Sequence, residues 1–250
     1  MNPASEPCQF LEWDTQFFGH RIGRLLAHRL ETEVLEAIDE WRRRQAIECL
    51  YFLADADDPQ TISLAQAHGF QLVEVRLTFE RSLKDWDPRT RPREAKDLLI
   101  RPVQPQDIPS LQEIAQNSYI DSRFFFDQRF PEEKWQAYYA TWVGKSCSGG
   151  AELALAAEKD GQVVGYITGQ ADRARSEGMY ELTGVKESAR RLGVGQELFR
   201  AGLDWYAQAG IQLVWLATQG RNVPTQRIIQ RNGFITRSCQ LYYHKWFEAG

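Results

Sequence analysis

The chain has 250 residues, 43% hydrophobic and 26% charged, with a formal net charge of −4 and a pI near 5.7. That length allows one large domain or two modest ones with buried cores. The acidic balance argues against binding nucleic acid by phosphate neutralisation. Four cysteines (Cys8, Cys49, Cys147, Cys239) and four histidines (His20, His28, His68, His244) are scattered without metal-ligand spacing, so no metal is expected. Met1 to Phe10 lacks the basic start and apolar stretch of a signal peptide. No apolar run reaches transmembrane length, so a cytoplasmic protein with no membrane partner is expected.

In chain order, Leu83 to Lys96 is dense in charge and proline. This linker composition divides the chain into an N-terminal domain, 1–90, and a second domain, 97–250. Leu98-Leu-Ile-Arg-Pro reads as a strand. Asp107 then caps a helix through about Ser118, with Ile108, Leu111, Ile114 and Ala115 at helical spacing. Asp121 to Phe130 is an aromatic, charged loop. Pro131-Glu-Glu opens a second helix ending near Gly144. Ala151–Glu158 and Val163–Thr168 are strands joined at Lys159-Asp160-Gly161, a hairpin signal. An apolar strand from Met179 to Val185 leads into Arg190-Arg-Leu-Gly-Val-Gly195. A helix follows to Gly210, then a strand Ile211–Thr218, a helix Asn222–Asn232 closed by Gly233, and a last strand Cys239–Trp246. The order β-α-α-β-β-β-α-β-α-β calls for an α/β (α+β) fold, a mixed sheet flanked by helices.

Trp41–Arg81 aligns without a gap on Trp205–Lys245 at a constant offset of 164. Trp41/Trp205, Ile47/Ile211, Thr61/Thr225, Gln66/Gln230, Gly69/Gly233, Phe70/Phe234 and Leu77/Leu241 are identical pairs. A shared strand-helix-strand unit is the expectation. Arg29 and Glu31 stand where Gly193 and Gly195 fall in the second copy, so one ligand turn per chain is expected. A strand, a glycine turn and a helix start make an anion site. Glycine lets backbone approach a ligand, and the free amides of the first helical turn attract negative charge.

Ile100-Arg-Pro, Arg190-x-x-Gly193-x-Gly195, Asn222 and Asn232-Gly233-Phe234 together resemble the GNAT superfamily of acyl-CoA N-acyltransferases, over about residues 97–247. Leu11-Glu-Trp-Asp with Phe17-Phe18-Gly19, and Ser122-Arg123-Phe124 with Asp127, Tyr139 and Trp142, are similar to the dTDP-fucosamine acetyltransferase group. Those enzymes acetylate the 4-amino group of a nucleotide-linked sugar and carry a comparable N-terminal domain. The resemblance implies a central mixed sheet, a smaller partial copy at the N-terminus, and acetyl-CoA as co-substrate. It also implies a cofactor site of Leu182, Thr183, Val185, Arg190, Arg191, Leu192, Gly193, Val194, Gly195, Gln196, Asn222 and Thr225. In it the turn cradles the pyrophosphate, Val185 offers its backbone to pantetheine and an oxyanion, and Asn222 contacts the pantetheine arm. On side-chain grounds alone, Arg190 and Arg191 are equally solvated helix-start charges, and Asn222 is a good helix cap.

Acetyl transfer to an amine also needs a proton acceptor and a donor for the departing thiolate. Glu181, on the motif strand with Thr183 and Val185 on the same face by alternation, could relay a proton through water. In the superfamily a tyrosine four residues before the helix-end glycine protonates the thiolate; here that position is Ile229. Tyr242 and Tyr243 are the substitutes, only one of which alternation can turn toward the site, with Tyr180 a further candidate. For the acceptor, Arg123 suits a sugar-nucleotide phosphate and Asp127 lies beside it. Phe124, Phe125 and Phe126 either stack on the ligand or pack an interface. The reading is an acetyl-CoA-dependent N-acetyltransferase acting by direct attack on a small amine, most plainly a nucleotide-linked amino sugar, with a homodimer allowed. The alternatives are another amine (polyamine, aminoglycoside, peptide N-terminus) or a silent CoA-binding module.

Overall fold

The computed structural model describes residues 6–88 and 97–248; positions 89–96 of the expected linker lie outside them. The N-terminal half runs β1 (Cys8–Phe10), α1 (Glu12–Phe18), β2 (Ile22–Leu25), α2 (Thr32–Arg44), β3 (Cys49–Asp55), α3 (Pro59–Ala67), β4 (Gln71–Ser82). The second half runs β5 (Leu98–Pro102), α4 (Ile108–Gln116), α5 (Arg123–Phe126), α6 (Glu132–Lys145), β6 (Leu153–Lys159), β7 (Gln162–Asp172) and β8 (Glu177–Val185). It continues with α7 (Val194–Gln208), β9 (Leu213–Gln219), α8 (Val223–Arg231) and β10 (Ile235–Trp246). All strands form one mixed sheet in the order β1-β2-β3-β10-β4-β9-β8-β7-β6-β5, the α/β architecture expected. No helix among the described residues is long and apolar enough to cross a membrane.

Local chemistry sets most of these elements. Asp160 and Gly161 both take positive φ, which closes the two-residue β6–β7 hairpin. Asp58 caps α3 by accepting from the Thr61 amide, with Pro59 at the first helical position, and Asn222 caps α8 on Thr225 in the same way. Two expectations shift. The Asp121–Phe130 loop contains a short helix, α5, because the Ser122 hydroxyl caps the Phe125 amide. Asp107 does not cap α4 with its side chain. Its carboxylate accepts from the Gln104 amide and from the Arg101 guanidinium.

The repeat extends to the sheet itself. β3-α3-β4 and β9-α8-β10 have identical boundaries at the offset of 164. Strands β4 and β10 are exchanged between the halves: β10 lies between β3 and β4, and β4 between β10 and β9. The pairing is two-fold symmetric about the Arg76–Gln240 pair, since Ile235 faces Glu80 as Gln71 faces His244. Asp55 opposite Gln240 in the β3–β10 ladder is matched by Gln219 opposite Arg76 in the β4–β9 ladder. Each exchanged strand also carries one unpaired residue, Val73 and Arg237, at matching positions; such bulges kink and twist a strand.

The symmetry fails where β2 and β8 meet β3 and β9. Beyond β2 the chain runs on in the same direction along the rim of β3. The Asp55 amide donates to the His28 carbonyl, His28 Nδ1 bonds the Leu53 carbonyl, and the Leu30 amide donates to buried Thr61 Oγ1. Residues 26–30 thus satisfy that edge. On the other side β8 pairs with β9 only from Glu177 to Met179, and the equivalent edge, Ala217 and Gln219, lines open space.

Three cores hold the sheet. Helix α7 (Leu198, Phe199, Leu203, Tyr206) packs with Ile167, Tyr180, Val214 and Ile229 on one face. Helices α4 and α6 cover the other, sharing Leu111, Tyr138 and Val143 with Phe18 and Ile22 from the first half and with Tyr242. Helices α2 and α3 bury Trp41 and Ala65 against Phe52, Phe70 and Tyr243.

The repeat mates Thr61 and Thr225 give a differential test of the segment 26–30. Thr61→Val strands the buried Leu30 amide and is expected to cost about 1–3 kcal/mol. Thr225→Val, at the partly exposed mate, is expected to cost less than about 1 kcal/mol. Urea unfolding of the two variants measures the difference.

Candidate functional site

The departure of β8 from β9 opens a cleft of about 1090 Å³. The Lys186 amide donates to the Val164 carbonyl of β7 at 2.8 Å. By alternation, the amide and carbonyl of Val185 point away from β7, toward the cleft; Arg190 Nε approaches that carbonyl at 3.4 Å. The turn then passes through Arg191 at φ +64 and Gly193 at φ +82, and Gly193 is the N-cap of α7. Two left-handed residues flanking Leu192 curl the backbone into a concave nest of amides at the positive end of a 15-residue helix. A non-glycine residue in that conformation is strained, as residues at ligand sites often are.

Of the residues expected at this turn, Val185, Arg190, Arg191, Gly193, Val194, Gly195 and Gln196 line the cleft with Leu182, Thr183, Asn222 and Thr225. Exposed Leu192 does not line it. Gly195 has a role the sequence did not suggest: a Cβ there would sit 3.0 Å from Ile228 Cδ1, so the glycine lets α7 and α8 approach. Gln196 is tied to Asn232 at 3.1 Å. Asn222 combines its place on the cleft wall with the helix cap.

Glu181 departs from the simple alternation. Between the Ile167–Thr183 and Gly169–Tyr180 pairs, β8 has one extra residue. The bulge turns Glu181 toward the end of α6, whereas Val185 packs on the α7 core. Glu181 therefore does not share a face with Val185. Its carboxylate accepts from Ser146 Oγ (3.4 Å) and Gln170 Nε2 (3.2 Å). Ser146 starts a widened helical turn, Ser146–Gly150, that ends α6. Glu181 lies where the cleft meets a second pocket of about 420 Å³ formed with Trp13, Tyr138, Trp142 and Lys145.

Of the tyrosine candidates, only Tyr242 is a cleft residue free to act. Tyr243 is rejected: β alternation turns it to the opposite face, where it packs on Phe52 and Phe70. The Tyr180 side chain is directed into the α7 core and spends its hydroxyl on the Phe199 carbonyl at 2.8 Å. Ile229 is fully buried. Burial raises the Tyr242 pKa, against the pull of the nearby Arg123 and Arg76 cations.

Arg123 lines the cleft with its guanidinium boxed by Phe124 (4.3 Å to the ring centre), Tyr242 (4.7 Å) and Tyr51 (5.1 Å), and its Nε is buried without a partner. Asp127 corrects the expectation. It is buried away from the cleft, accepting from His244 Nδ1 at 2.6 Å and Trp246 Nε1 at 2.8 Å, so it anchors the α5 loop to β10. Phe124 is core, while exposed Phe126 lies under Arg221 at 3.5 Å. Among the cleft residues that the sequence reading did not name are Glu74 and Arg76, both on β4. Their only sequence signal is the replacement of Ser238 and Gln240 by charges in the repeat.

The acetyltransferase (GNAT) family profile matches residues 109–234, half of the chain, and the chain belongs to this family of acyl-transferring enzymes, which use acetyl-CoA. It is 26% identical over 147 residues to the spore coat polysaccharide biosynthesis protein SpsD of Bacillus subtilis, covering 59% of this chain and 50% of that protein. The chain thus spans half the length of that relative. It is 23% identical over 248 residues to the dTDP-fucosamine acetyltransferase of Escherichia coli O6:H1, covering 96% of this chain and 99% of that one. The GCN5-related N-acetyltransferase of Sphaerobacter thermophilus shares the fold at 17% identity, with a TM-score of 0.69 over 97% of this chain and 77% of that chain.

Gly193→Val places a β-branched residue at φ +82 and is expected to abolish the acetyl-CoA thermal shift. Arg191→Gly, which removes a charge and relieves strain, is expected to weaken the shift without lowering the melting point of the free protein. His244 gives a pH test. Burial, only partly offset by Asp127, holds its pKa down to about 4 against an ordinary 6.5. It is therefore neutral when folded, and unfolding lets it take up a proton. Stability should fall as pH drops from about 6.5 toward 4, by up to about 3 kcal/mol. In His244→Gln, denaturant midpoints across that window should fall less steeply.

Proposed function

We propose that the chain transfers an acetyl group from acetyl-CoA to the primary amine of a nucleotide-linked amino sugar, by direct attack in a ternary complex. The observation that carries this reading is the unpaired β9 edge. In the first half, the matching edge is filled by the chain itself: the His28 carbonyl accepts from the Asp55 amide and the His28 imidazole bonds the Leu53 carbonyl. A pantetheine arm offers the same amide chemistry, and would bond the Ala217 carbonyl and the Gln219 amide on one side and the backbone of Val185 on the other. The pyrophosphate would sit on the amides of residues 191–196, with Arg190 and Arg191 adding charge. The N-terminal half is, on this reading, a degenerate copy of the same unit with its cleft closed.

The thioester would then lie near Tyr242, which serves as the acid for the departing thiolate in place of the side chain lost at Ile229. The Val185 amide faces the developing oxyanion. At the acceptor end Arg76 and Arg123 favour an anionic substrate, such as a sugar carrying a diphosphate. The second pocket, with Trp13, Trp142 and Lys145, has aromatic faces and a cation suited to the rest of the nucleotide. Likeness along the whole chain to a dTDP-fucosamine acetyltransferase supports the same acceptor class. Buried Ile229 favours one rival, a CoA-binding module without turnover.

Free-thiol release from acetyl-CoA separates these readings. Release is expected with dTDP-4-amino-4,6-dideoxygalactose, and much less with a polyamine, an aminoglycoside or a peptide N-terminus. Faster release with one of those would move the acceptor class. Binding of acetyl-CoA with no release above hydrolysis for any amine would favour the silent module. Tyr242→Phe is expected to lower kcat by about 10²–10⁴-fold with little change in acetyl-CoA affinity.

A further inference from the structure

We propose that Glu74, carried into the cleft on β4 from the N-terminal half, takes the proton of the acceptor's ammonium group; this rests on the acetyl transfer proposed above. Glu74 is buried yet lines the cleft. One carboxylate oxygen accepts from the Arg123 amide at 3.1 Å, and Gln219 on β9 also bonds the side chain, so its position is fixed from two elements. In the β4–β10 ladder its partner is Tyr242, which puts a carboxylate and a phenol side by side at the acceptor end.

The charged and titratable groups facing Glu74 are Arg123 on α5, Arg76 on its own strand, Tyr242 on β10 and Tyr139 on α6. Burial raises the Glu74 pKa, and the two guanidinium groups restrain the rise. That balance makes the carboxylate readier than an exposed one to accept a proton. An ammonium group entering such a site forms a charged pair in poorly solvated surroundings. Passing the proton to Glu74 leaves two neutral groups, which burial favours. Asp121, Glu181 and Glu187 also line the cleft, but Glu181 is half-buried at the mouth of the second pocket with each oxygen already holding a donor, Asp121 is half-buried in the loop before α5, and Glu187 is exposed.

The protons balance. The ammonium gives one to Glu74, and the neutral amine attacks the thioester carbonyl. As the tetrahedral adduct collapses, the carbon–sulfur bond breaks and Tyr242 protonates the sulfur. The second proton of the attacking nitrogen restores Tyr242, and Glu74 returns its proton to solvent. The products are the amide, the free thiol and one proton.

The test measures kcat and KM against pH, with acetyl-CoA and dTDP-4-amino-4,6-dideoxygalactose, in the wild type, Glu74→Gln, Glu74→Asp and Glu181→Gln. Glu74→Gln is expected to lose about 10²–10³-fold in kcat and the acidic limb of the profile, while keeping the acetyl-CoA thermal shift. Glu74→Asp should recover part of the rate and the limb, and Glu181→Gln should keep the limb. A Glu74→Gln enzyme within a few-fold of wild type with its limb intact overturns the proposal, as does a limb that vanishes with Glu181. Wild-type protein that turns over no amine overturns the transfer reading, and this inference with it. If Glu74→Gln does not fold, infrared titration of glutamate-labelled wild-type protein decides. A carboxyl that stays protonated above the ordinary glutamate range supports Glu74, and titration of every glutamate within that range overturns it.

Discussion

Everything in this molecule hangs on the ladder between β4 and β10. Neither half completes its own sheet: each takes its penultimate strand from the other. The register is symmetric about Arg76 and Gln240, so one set of backbone hydrogen bonds fixes both halves at once. A slip of one residue would turn every side chain of both strands to the wrong face, emptying the core around Tyr243 and the cleft around Tyr242 together. The paired bulges at Val73 and Arg237 oppose such a slip, because an unpaired residue marks one register only.

The two copies then show one edge problem solved in two ways. Past its last pair with the neighbouring parallel strand, β3 or β9 is left with amides and carbonyls that need partners. In the first copy, residues 26–30 supply them and Thr61 locks the segment by accepting from Leu30. In the second, the chain leaves β8 through the turn at 190–193 and starts α7 without crossing the cleft. The left-handed Arg191 and Gly193 make that retreat possible, and the strain at Arg191 is the cost of leaving the edge open. Thr225, freed of the duty of its mate Thr61, faces the cleft instead.

Much of this was legible in the sequence because it is local. The repeat offset, the hairpin at Asp160-Gly161, the cap at Asn222 and the glycine turn depend on neighbours within a few residues. The strand exchange was not legible, since the repeat announces two similar units without saying which strand joins which sheet. That is why Glu74 and Arg76 went unnoticed, on a strand assigned to the half without the turn. The bulge in β8 was hidden for a different reason. Period-2 reasoning carries no signal for one extra residue, and so Glu181 was placed on the face of Val185. Asp127 beside Arg123 looked like a ligand pair; the fold separates them because buried His244 and Trp246, more than a hundred residues away in sequence, claim the carboxylate.

The exchange also bears on the missing tyrosine. With Ile229 in place, α8 contributes packing to the α7 core and no proton. A phenol and a carboxylate of the cleft wall, Tyr242 and Glu74, are partners in the β4–β10 ladder. A helix-borne acid can drift with the helix, whereas two side chains on paired strands keep their spacing as long as the ladder holds. Their place on paired strands fixes their spacing and makes the N-terminal half a contributor to the cleft despite its own closed edge.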